Sequence, residues 1–500
     1  MKNYDLIVIG SGPAGEKGAC QAALFGKSVA LIEKEPAPGG AWVNTGTIPS
    51  KTLRESALQL SGLKQRGLYG VDVSLRRDIS VSDFMYRERA VVEKGWELID
   101  DNMTWHGIDV YRGCAHFSSP HEVTIDLGSS HITLHGEKIL IATGSSPYRP
   151  EDVPFDDHFI YDSDSILTLD RIPKSMAVIG AGVIGCEYAC MFSALGIDMS
   201  LIDGRTELLS NIDQETSDIL LRQMRNRLKI HMCMGVEVES VQIEENGVAL
   251  NFKNRRQLKV DKVLYAAGRQ SNTTALGLDV AGVATGKRGI ITVNENYQTC
   301  VPHIYAAGDV IGFPALASTS MEQGRVAAIH AFEMESRTNP ASTLPYCIWT
   351  IPEVAMCGVT EEECLAKGID YEVGRAYYRN NARGQIIGDT GGMLKLVFDP
   401  DTSEILGIHI VGESAAELVH VGLMVLQMAG TLDVFINTVF NVPTLSETYK
   451  YAAYDGLSRL ERRQRGQHNG MGLRQMPSST REAPHSAELP QVLEAPHALT

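Results

Sequence analysis

Two glycine-rich turns of the same design, one near residue 10 and one near residue 180, limit what this 500-residue chain can fold into. The first follows an apolar run and carries Gly10, Gly12 and Gly15. A helical pattern comes next, and then a second apolar run that ends in Glu33. This order predicts a strand, a phosphate-binding turn, a helix and a parallel strand, which together form the unit that binds a dinucleotide.

The pattern returns with Gly180, Gly182 and Gly185, and its second apolar run ends in Asp203 at the same offset from the first glycine. In such a unit, glycines let the backbone approach a pyrophosphate, and the helix N-terminus supplies free N–H groups. The terminal carboxylate accepts hydrogen bonds from ribose hydroxyls. One copy is weak evidence, but two copies in matching context predict an α/β chain with two dinucleotide sites.

Three further segments, each a short apolar strand followed by a glycine, support two such folds. They lie at residues 141–144, 266–269 and 304–309. The third contains Asp309 in a Gly-Asp turn, where an aspartate is a typical helix N-cap. That interpretation is compatible with a role in ligand binding.

The pattern changes from about residue 344 and predicts an α+β unit. Ser414 and Thr444 each stand three residues before a glutamate, which predicts capping boxes that open helices reaching about Met428 and Arg462. The end of the chain is rich in Pro, Ser, Gln and Ala, which predicts disorder. The expected strands lie in 347–358, 371–388, 393–398 and 405–411.

The composition excludes several classes of function. The formal net charge of −16 disfavours nucleic acid and anionic membranes as partners. No apolar leader precedes the first strand, and no apolar run approaches the roughly 20 residues that span a bilayer. Nine scattered cysteines do not form a disulfide framework or a zinc pattern, so we expect no metal site and a cytoplasmic protein.

Residues 39–51 resemble the active-site segment of flavin-dependent pyridine nucleotide–disulfide oxidoreductases, in which two cysteines flank four residues. Here Trp42 and Thr47 occupy those positions, and neither forms a thiolate. Val442 stands before a proline where the reductases carry a catalytic histidine, and valine cannot move a proton. Disulfide reduction would then need another thiol, such as Cys20 on the first helix.

The resemblance extends to about residue 463. It implies two Rossmann-like dinucleotide-binding domains, a C-terminal α+β dimerisation domain, and a homodimer or higher homo-oligomer. The implied domains are FAD-binding at 1–150 and 271–338, NAD(P)-binding at 151–270, dimerisation at 339–465, and a disordered tail at 466–500.

Within the family, several segments are most similar to the soluble, flavin-containing, Si-specific transhydrogenases. This narrower resemblance implies FAD as cofactor and NAD and NADP as substrates. The implied reaction is NADPH + NAD⁺ ⇌ NADP⁺ + NADH, by a ping-pong route through flavin N5. The segments are 45–51, 160–167, 181–189, 371–376 and 440–444.

The resemblance also implies roles for individual residues. Lys51 would lie near flavin N5 and pair with Glu187, where a cation stabilises developing negative charge. The alternatives are a solvated lysine and an ordinary helix-surface glutamate. Asp309 would hydrogen-bond the ribityl–phosphate region. The strand ends that close the flavin and nicotinamide domains contain Thr143, Gly144 and Gly268.

Three positions keep two interpretations. Asp203 suits a free ribose 2′-hydroxyl, and Arg205 is able to pair with a 2′-phosphate or to be simply an exposed arginine. Trp42 either covers the flavin face opposite the nicotinamide or fills the space of a lost disulfide. Glu447, which matches the glutamate that orients the reductase histidine, is better interpreted as part of a capping box.

Two other functions remain open from the sequence. A flavin accessible to solvent also passes electrons from NAD(P)H to quinones, as in a diaphorase. Alternatively, the chain is a non-catalytic flavoprotein whose redox state controls a partner. Comparing NAD⁺ with quinones as oxidants distinguishes the diaphorase, and turnover with NADPH and a thio-analogue of NAD⁺ distinguishes the non-catalytic flavoprotein.

Overall fold

The computed structural model describes residues 1–62, 68, 79–335 and 343–468. The chain has a mixed α/β fold with one mixed sheet built on parallel strands, one fully parallel sheet and a C-terminal antiparallel sheet. In the part of the chain that is described, no helix is long and apolar enough to cross a membrane.

The first part begins with β1 (Lys2–Ile9), α1 (Pro13–Leu24), β2 (Val29–Glu33), α2 (Gly40–Asn44), α3 (Thr47–Ser61), α4 (Val81–Trp105), β3 (Asp109–Arg112), β4 (Cys114–Ser119), β5 (Glu122–Asp126), β6 (His131–Ile141) and β7 (Ser145–Pro147). The chain then forms β8 (Ile160–Asp162), β9 (Ser175–Ile179), α5 (Val183–Ala194), β10 (Asp198–Asp203), α6 (Gln214–Asn226), β11 (His231–Met234), β12 (Val238–Glu244), β13 (Gly247–Phe252), β14 (Gln257–Val260), β15 (Lys262–Tyr265) and β16 (Arg269–Ser271).

The remaining elements are β17 (Ile304–Ala306), α7 (Ala317–Ala331), β18 (Tyr346–Ile348), β19 (Glu353–Gly358), α8 (Glu361–Lys367), β20 (Glu372–Tyr377), α9 (Ala382–Ile387), β21 (Met393–Phe398), β22 (Ile405–Gly412), α10 (Ala415–Gln427), α11 (Leu432–Asn437) and α12 (Thr448–His468). Short 3-10 helices lie at Ser165–Thr168, Lys287–Gly289, Asp309–Ile311 and Tyr378–Asn380.

The first sheet is built on parallel strands in the order β3-β2-β1-β6, with β17 also parallel to β6. Strands β5 and β4 extend β6 as an antiparallel pair. The core strands β1 and β2 read as apolar runs because both faces of a parallel sheet are covered. We call this part, with α1 and α7, the first fold.

The second fold contains a five-stranded parallel sheet in the order β11-β10-β9-β15-β8 and a three-stranded sheet β12-β13-β14. Its central strands β9 and β10 carry the repeat predicted from the sequence. A two-stranded ribbon of β7 and β16 links the first and second folds.

The C-terminal unit is an antiparallel sheet in the order β18-β19-β22-β21-β20, against which α10 and α12 pack. The predicted hairpin is present: β21 pairs with β22, and the Asp399 carboxylate accepts from the N–H groups of Asp401 and Thr402, both at 2.8 Å.

Several sequence-based predictions in this unit are wrong. Residues 378–388 do not continue a strand, because the Asn381 side chain accepts from the Gly384 N–H at 3.0 Å and opens α9. Ser414 makes no capping box, since its φ of 61° places it in the left-handed region and its side chain caps nothing.

The second predicted capping box is also absent. The Thr444 hydroxyl donates to the Asn441 carbonyl at 2.7 Å, and α12 begins four residues later at Thr448. Glu447 instead accepts from Asn381 and Tyr451 at 3.4 and 3.2 Å. Helix α12 continues past Arg462 to His468, and the rest of the predicted disordered tail lies outside the described residues.

Candidate active site

The first glycine turn needs glycine at two positions because the backbone is crowded there. Gly10 has a φ of 104°, and a Cβ on it would lie 2.4 Å from the Ala142 carbonyl oxygen. A Cβ on Gly15 would lie 1.9 Å from the Gly10 oxygen. A Cβ on Gly12 would meet nothing within 4 Å, which leaves open space in front of the N-terminus of α1. That space suits a phosphate group.

The second turn repeats this geometry. Gly180 has a φ of 108°, and its Cβ would lie 2.8 Å from the Ala266 carbonyl. A Cβ on Gly185 would lie 1.8 Å from the Gly180 oxygen, whereas one on Gly182 would meet nothing within 4 Å. Both turns therefore close against the end of the neighbouring strand and leave the helix N-terminus accessible.

The two predicted ribose-binding carboxylates also correspond. The Glu33 carboxylate accepts from the Ser11 N–H at 2.9 Å and from its hydroxyl at 2.6 Å. The Asp203 carboxylate accepts from the Ala181 N–H at 2.7 Å. In each fold, the residue after the first glycine holds the acid at the mouth of the turn.

Arg205 lies directly against Asp203. Its Nε donates to Oδ1 at 3.0 Å and its Nη2 to Oδ2 at 2.7 Å, while the Arg205 N–H donates to Oδ1 at 2.8 Å. Burial works to raise the pKa of Asp203, but these bonds and the one from Ala181 hold that pKa below its usual value. The Arg205 side chain is 53% exposed, so its guanidinium is accessible to a ligand.

The strand ends of the two folds carry the other predicted residues. The Thr143 hydroxyl oxygen is buried and has no hydrogen-bond partner among the described residues, while its carbonyl accepts from the Asn272 side chain at 2.9 Å. The Gly144 carbonyl accepts from the Asn272 N–H at 3.0 Å. Gly268 has a φ of 127°, and a Cβ there would lie 2.7 Å from the Arg288 guanidinium. The orphaned Thr143 hydroxyl suits a polar ligand in the first fold.

Asp309 is not a helix N-cap. The N-cap of the 3-10 helix that it begins is Gly308, which makes no side-chain cap. The Asp309 carboxylate instead accepts from the Ser145 hydroxyl at 2.9 Å. The side chain is therefore held at the end of the first sheet, near the exit of the β7–β16 ribbon.

Lys51 and Glu187 form a direct ion pair. The Lys51 Nζ donates to Glu187 Oε2 at 2.6 Å, and the other carboxylate oxygen accepts from the Trp349 N–H at 2.8 Å. The Lys51 side chain is 25% exposed and that of Glu187 only 5%. Lys51 is thus not a solvated surface lysine, and Glu187 is not on a helix surface.

The positions at which a disulfide reductase carries its redox cysteines and catalytic histidine hold residues that cannot do that chemistry here. Trp42 on α2 is half-buried and packs against the apolar core of the first fold, as Trp96 and Ile48 also do. Val442 is 66% exposed. Cys20 lies on α1, where burial raises the pKa of its thiol to about 11. Among the described residues, no group of three or more His, Cys, Asp or Glu side chains is arranged to hold a metal ion.

Sequence reasoning missed a second set of polar residues at the ribbon. The Arg269 Nε donates to the Ser145 hydroxyl at 2.8 Å, and Nη1 lies 3.9 Å from Asp164 Oδ1. The available signal was that Arg269 directly follows Gly268, the strand-end glycine of the second fold.

Comparisons with known proteins agree with this architecture. The family model for pyridine nucleotide-disulphide oxidoreductases matches residues 4–324, and the model for their dimerisation domain matches residues 344–453. The solved structure of the Cu(II) complex of HOCl-induced flavoprotein disulfide reductase RclA from Escherichia coli superposes with a TM-score of 0.82 at 27% identity, covering 91% of this chain and 99% of RclA.

Curated relatives match over nearly their whole length. A protein of Mycobacterium tuberculosis named soluble pyridine nucleotide transhydrogenase is 44% identical over 92% of this chain and 98% of its own. One of the same name from Azotobacter vinelandii is 43% identical over 92% and 99%. The resemblance inferred from the sequence is confirmed, and the chain belongs to the pyridine nucleotide-disulphide oxidoreductase family.

Proposed function

We propose that this protein is an FAD-dependent transhydrogenase that moves hydride from NADPH to NAD⁺, giving NADP⁺ and NADH. The observation that carries the proposal is the combination at one site of the Lys51–Glu187 pair with Trp42 and Thr47 in place of thiols. Because neither Trp42 nor Thr47 carries a thiol, electrons cannot pass through a dithiol at these positions. The Lys51–Glu187 ion pair, by contrast, is present. The names of the curated relatives support the same reaction.

The first fold suits FAD. The open space at Gly12 fits a pyrophosphate, the Glu33 carboxylate fits an adenosine ribose, and Asp309 fits the ribityl–phosphate region. When bound, the flavin supplies a centre that accepts a hydride from one nicotinamide and returns it to another. In domain terms, we assign FAD binding to residues 1–150 and 271–338.

The second fold, which we assign to residues 151–270, suits the nicotinamide nucleotides. The open space at Gly182 fits their pyrophosphate, and Asp203 and Arg205 lie where the adenosine ribose would bind. Asp203 hydrogen-bonds a 2′-hydroxyl, and Arg205 pairs with a 2′-phosphate. Because the two side chains neutralise each other when no ligand is bound, neither nucleotide meets an uncompensated charge of the wrong sign.

Lys51 has an electrostatic task in this proposal. Glu187 fixes the Lys51 ammonium between α3 and α5, so a bound flavin would meet a preorganised positive charge there. A one-site, ping-pong exchange requires only that each nucleotide leave before the next enters. We assign residues 339–465 to a dimerisation domain and propose a homodimer in the cytoplasm.

An anaerobic titration with NADPH tests the proposal. We expect full bleaching of the flavin at two electrons per subunit, without the long-wavelength band that a thiolate beside flavin produces. Subsequent NAD⁺ should restore the oxidised spectrum and release NADH. Uptake of four electrons, or turnover of lipoamide or glutathione disulfide, would contradict it.

The same preparation distinguishes the other functions. Stopped-flow reoxidation by NAD⁺ should be faster than reoxidation by quinones at equal concentration. Faster reaction with quinones supports a diaphorase, and a single reduction without turnover supports a redox sensor.

A further inference from the structure

The ribbon of β7 and β16 is where the chain leaves the first fold and returns to it. Arg269 pairs with Pro147, and Ser271 pairs with Ser145, in antiparallel register. β7 follows the Thr143–Gly144 strand end, and β16 follows Gly268. Any rotation of the second fold about this connection would change the position of a bound nicotinamide relative to the first fold.

Arg269 joins the two strands and reaches both folds. Its Nε and Nη2 donate to the Ser145 hydroxyl and carbonyl at 2.8 and 2.6 Å. Its Nε lies 4.0 Å from Asp309 Oδ2 in the first fold, and Nη1 lies 3.9 Å from Asp164 Oδ1 in the second. The guanidinium is 21% exposed, so solvent screens these interactions only partly.

Asp164 extends the link to the segment that replaces the redox dithiol. It follows β8 and makes no side-chain cap on the 3-10 helix that it precedes. Its carboxylate accepts from the Ser163 hydroxyl at 3.4 Å, and the Thr45 side chain helps to lower its pKa. Thr45 lies between Trp42 and Thr47 in sequence. Burial raises the pKa of Asp164, and Arg269 opposes that shift.

We propose that Arg269 and Asp164 are positioning residues that fix the second fold against the flavin-binding part at the distance hydride transfer needs. The inference rests on the proposed function. Near-attack geometry requires reacting atoms about 3–3.5 Å apart, and a displacement of about 1 Å costs on the order of a hundredfold in rate. A planar arginine fork that bonds two strands resists such displacement, whereas a lysine does not.

The test compares wild type, Arg269→Met, Arg269→Lys and Asp164→Asn, all loaded with FAD. Stopped-flow spectroscopy measures both half-reactions, reduction by NADPH and reoxidation by NAD⁺, and the charge-transfer absorbance between bound nucleotide and flavin. Hydrogen–deuterium exchange of residues 145–147 and 269–271, without nucleotide, reports on the ribbon itself. Arg171→Met is the matched control, because Arg171 forms a 3.5 Å ion pair with Asp261 in the second fold, away from the ribbon.

We expect Arg269→Met to slow both half-reactions by a similar factor, on the order of tenfold to a hundredfold, with nucleotide dissociation constants changed less than about threefold. The charge-transfer absorbance should decrease, and hydrogen–deuterium exchange of the β7–β16 ribbon should become faster. The half-reaction rates of Arg269→Lys should lie between those of wild type and Arg269→Met. The rates of Arg171→Met should equal those of wild type. Asp164→Asn should slow both half-reactions even if the arginine variants do not fold.

Two results separate this inference from the proposed function. Wild type that fails to pass hydride from NADPH to NAD⁺ refutes the function. Wild type that does so, with Arg269 and Asp164 variants that keep its half-reaction rates or lose only nucleotide affinity, refutes the positioning role alone.

Discussion

Lys51 and Glu187 come from helices of two different folds, and their side chains meet at 2.6 Å. The second carboxylate oxygen of Glu187 accepts from the Trp349 N–H, at the start of the C-terminal unit. Three parts of the chain thus meet at one carboxylate. Because Glu187 is 5% exposed, its charge is compensated by protein groups rather than by water.

Replacing Lys51 with methionine should lower kcat about 100-fold and leave the KM for NADPH within about threefold, because removing one preorganised electrostatic group typically costs 10²–10³ in kcat. Glu187→Gln should have a smaller effect in the same direction. Steady-state kinetics of NADPH-dependent reduction of an NAD⁺ analogue measure both.

Lys17→Met is the matched control for this prediction. Lys17 pairs with Glu16 at 2.7 Å with nearly the same exposure, 24% and 3%, but both residues lie on α1 and neither bonds to Lys51 or Glu187. An equal loss in both variants would mean that losing a buried ion pair, rather than a charge at the site, lowers activity.

Arg205→Ala should raise the KM for NADPH about 10- to 100-fold, since a hydrogen bond to a charged group contributes roughly 1.5–3 kcal/mol. The KM for NADH should change much less, because Asp203 keeps its bond from the Ala181 N–H. Equal increases for the two nucleotides would show that Arg205 only supports the loop. Asp203→Asn should instead raise the KM for NADH more than the KM for NADPH.

The sequence predicted the parts of the site whose geometry is local. Both glycine turns and their carboxylates lie within single β-α-β units, so spacing alone located Glu33 and Asp203. The Lys51–Glu187 pair joins residues far apart in the chain, and only the family resemblance implied it. Arg269 was missed because its partners Ser145 and Asp164 come from distant segments of the chain.

Predictions of helix starts failed for a different physical reason. Ser414 and Thr444 have the residue types of capping boxes, but a capping residue must also have an extended backbone. Ser414 is left-handed, with a φ of 61°, and the Thr444 hydroxyl bonds to Asn441. Tertiary packing fixes those conformations. A Ser or Thr three residues before a Glu therefore does not reveal them.

Trp42→Ala should raise the rate at which NADPH-reduced protein consumes oxygen, if the indole shields the flavin. An oxygen electrode measures this rate. Trp96→Phe is the control, because Trp96 packs against the same apolar core and its indole N–H donates to the Asn44 side chain at 2.7 Å. An unchanged rate in Trp42→Ala would leave Trp42 as a residue that fills the space of a missing disulfide.

A pH-dependent contribution to stability should come from His409. This residue is fully buried on β22, beside Lys395 on β21. Its Nε2 hydrogen-bonds the Val359 carbonyl at 2.9 Å, and its Nδ1 has no partner among the described residues. Burial lowers the pKa of His409, with Lys395 adding to the shift, while Asp213 and, more weakly, Glu362 oppose it.

Because the folded pKa lies below the ordinary value of about 6.5, the unfolded chain binds a proton that the folded chain does not. The stabilisation is therefore complete above about pH 6.5 and is lost as pH falls through the folded pKa, with a slope of at most about 1.4 kcal/mol per pH unit. Thermal unfolding of the FAD-loaded proteins is measured between pH 8 and 5. The Tm of His409→Gln should lie below that of wild type at pH 8, and this difference in Tm should become smaller as the pH falls. The exposed His116→Gln should run parallel to wild type, and a parallel His409→Gln curve would show that His409 does not titrate in this range.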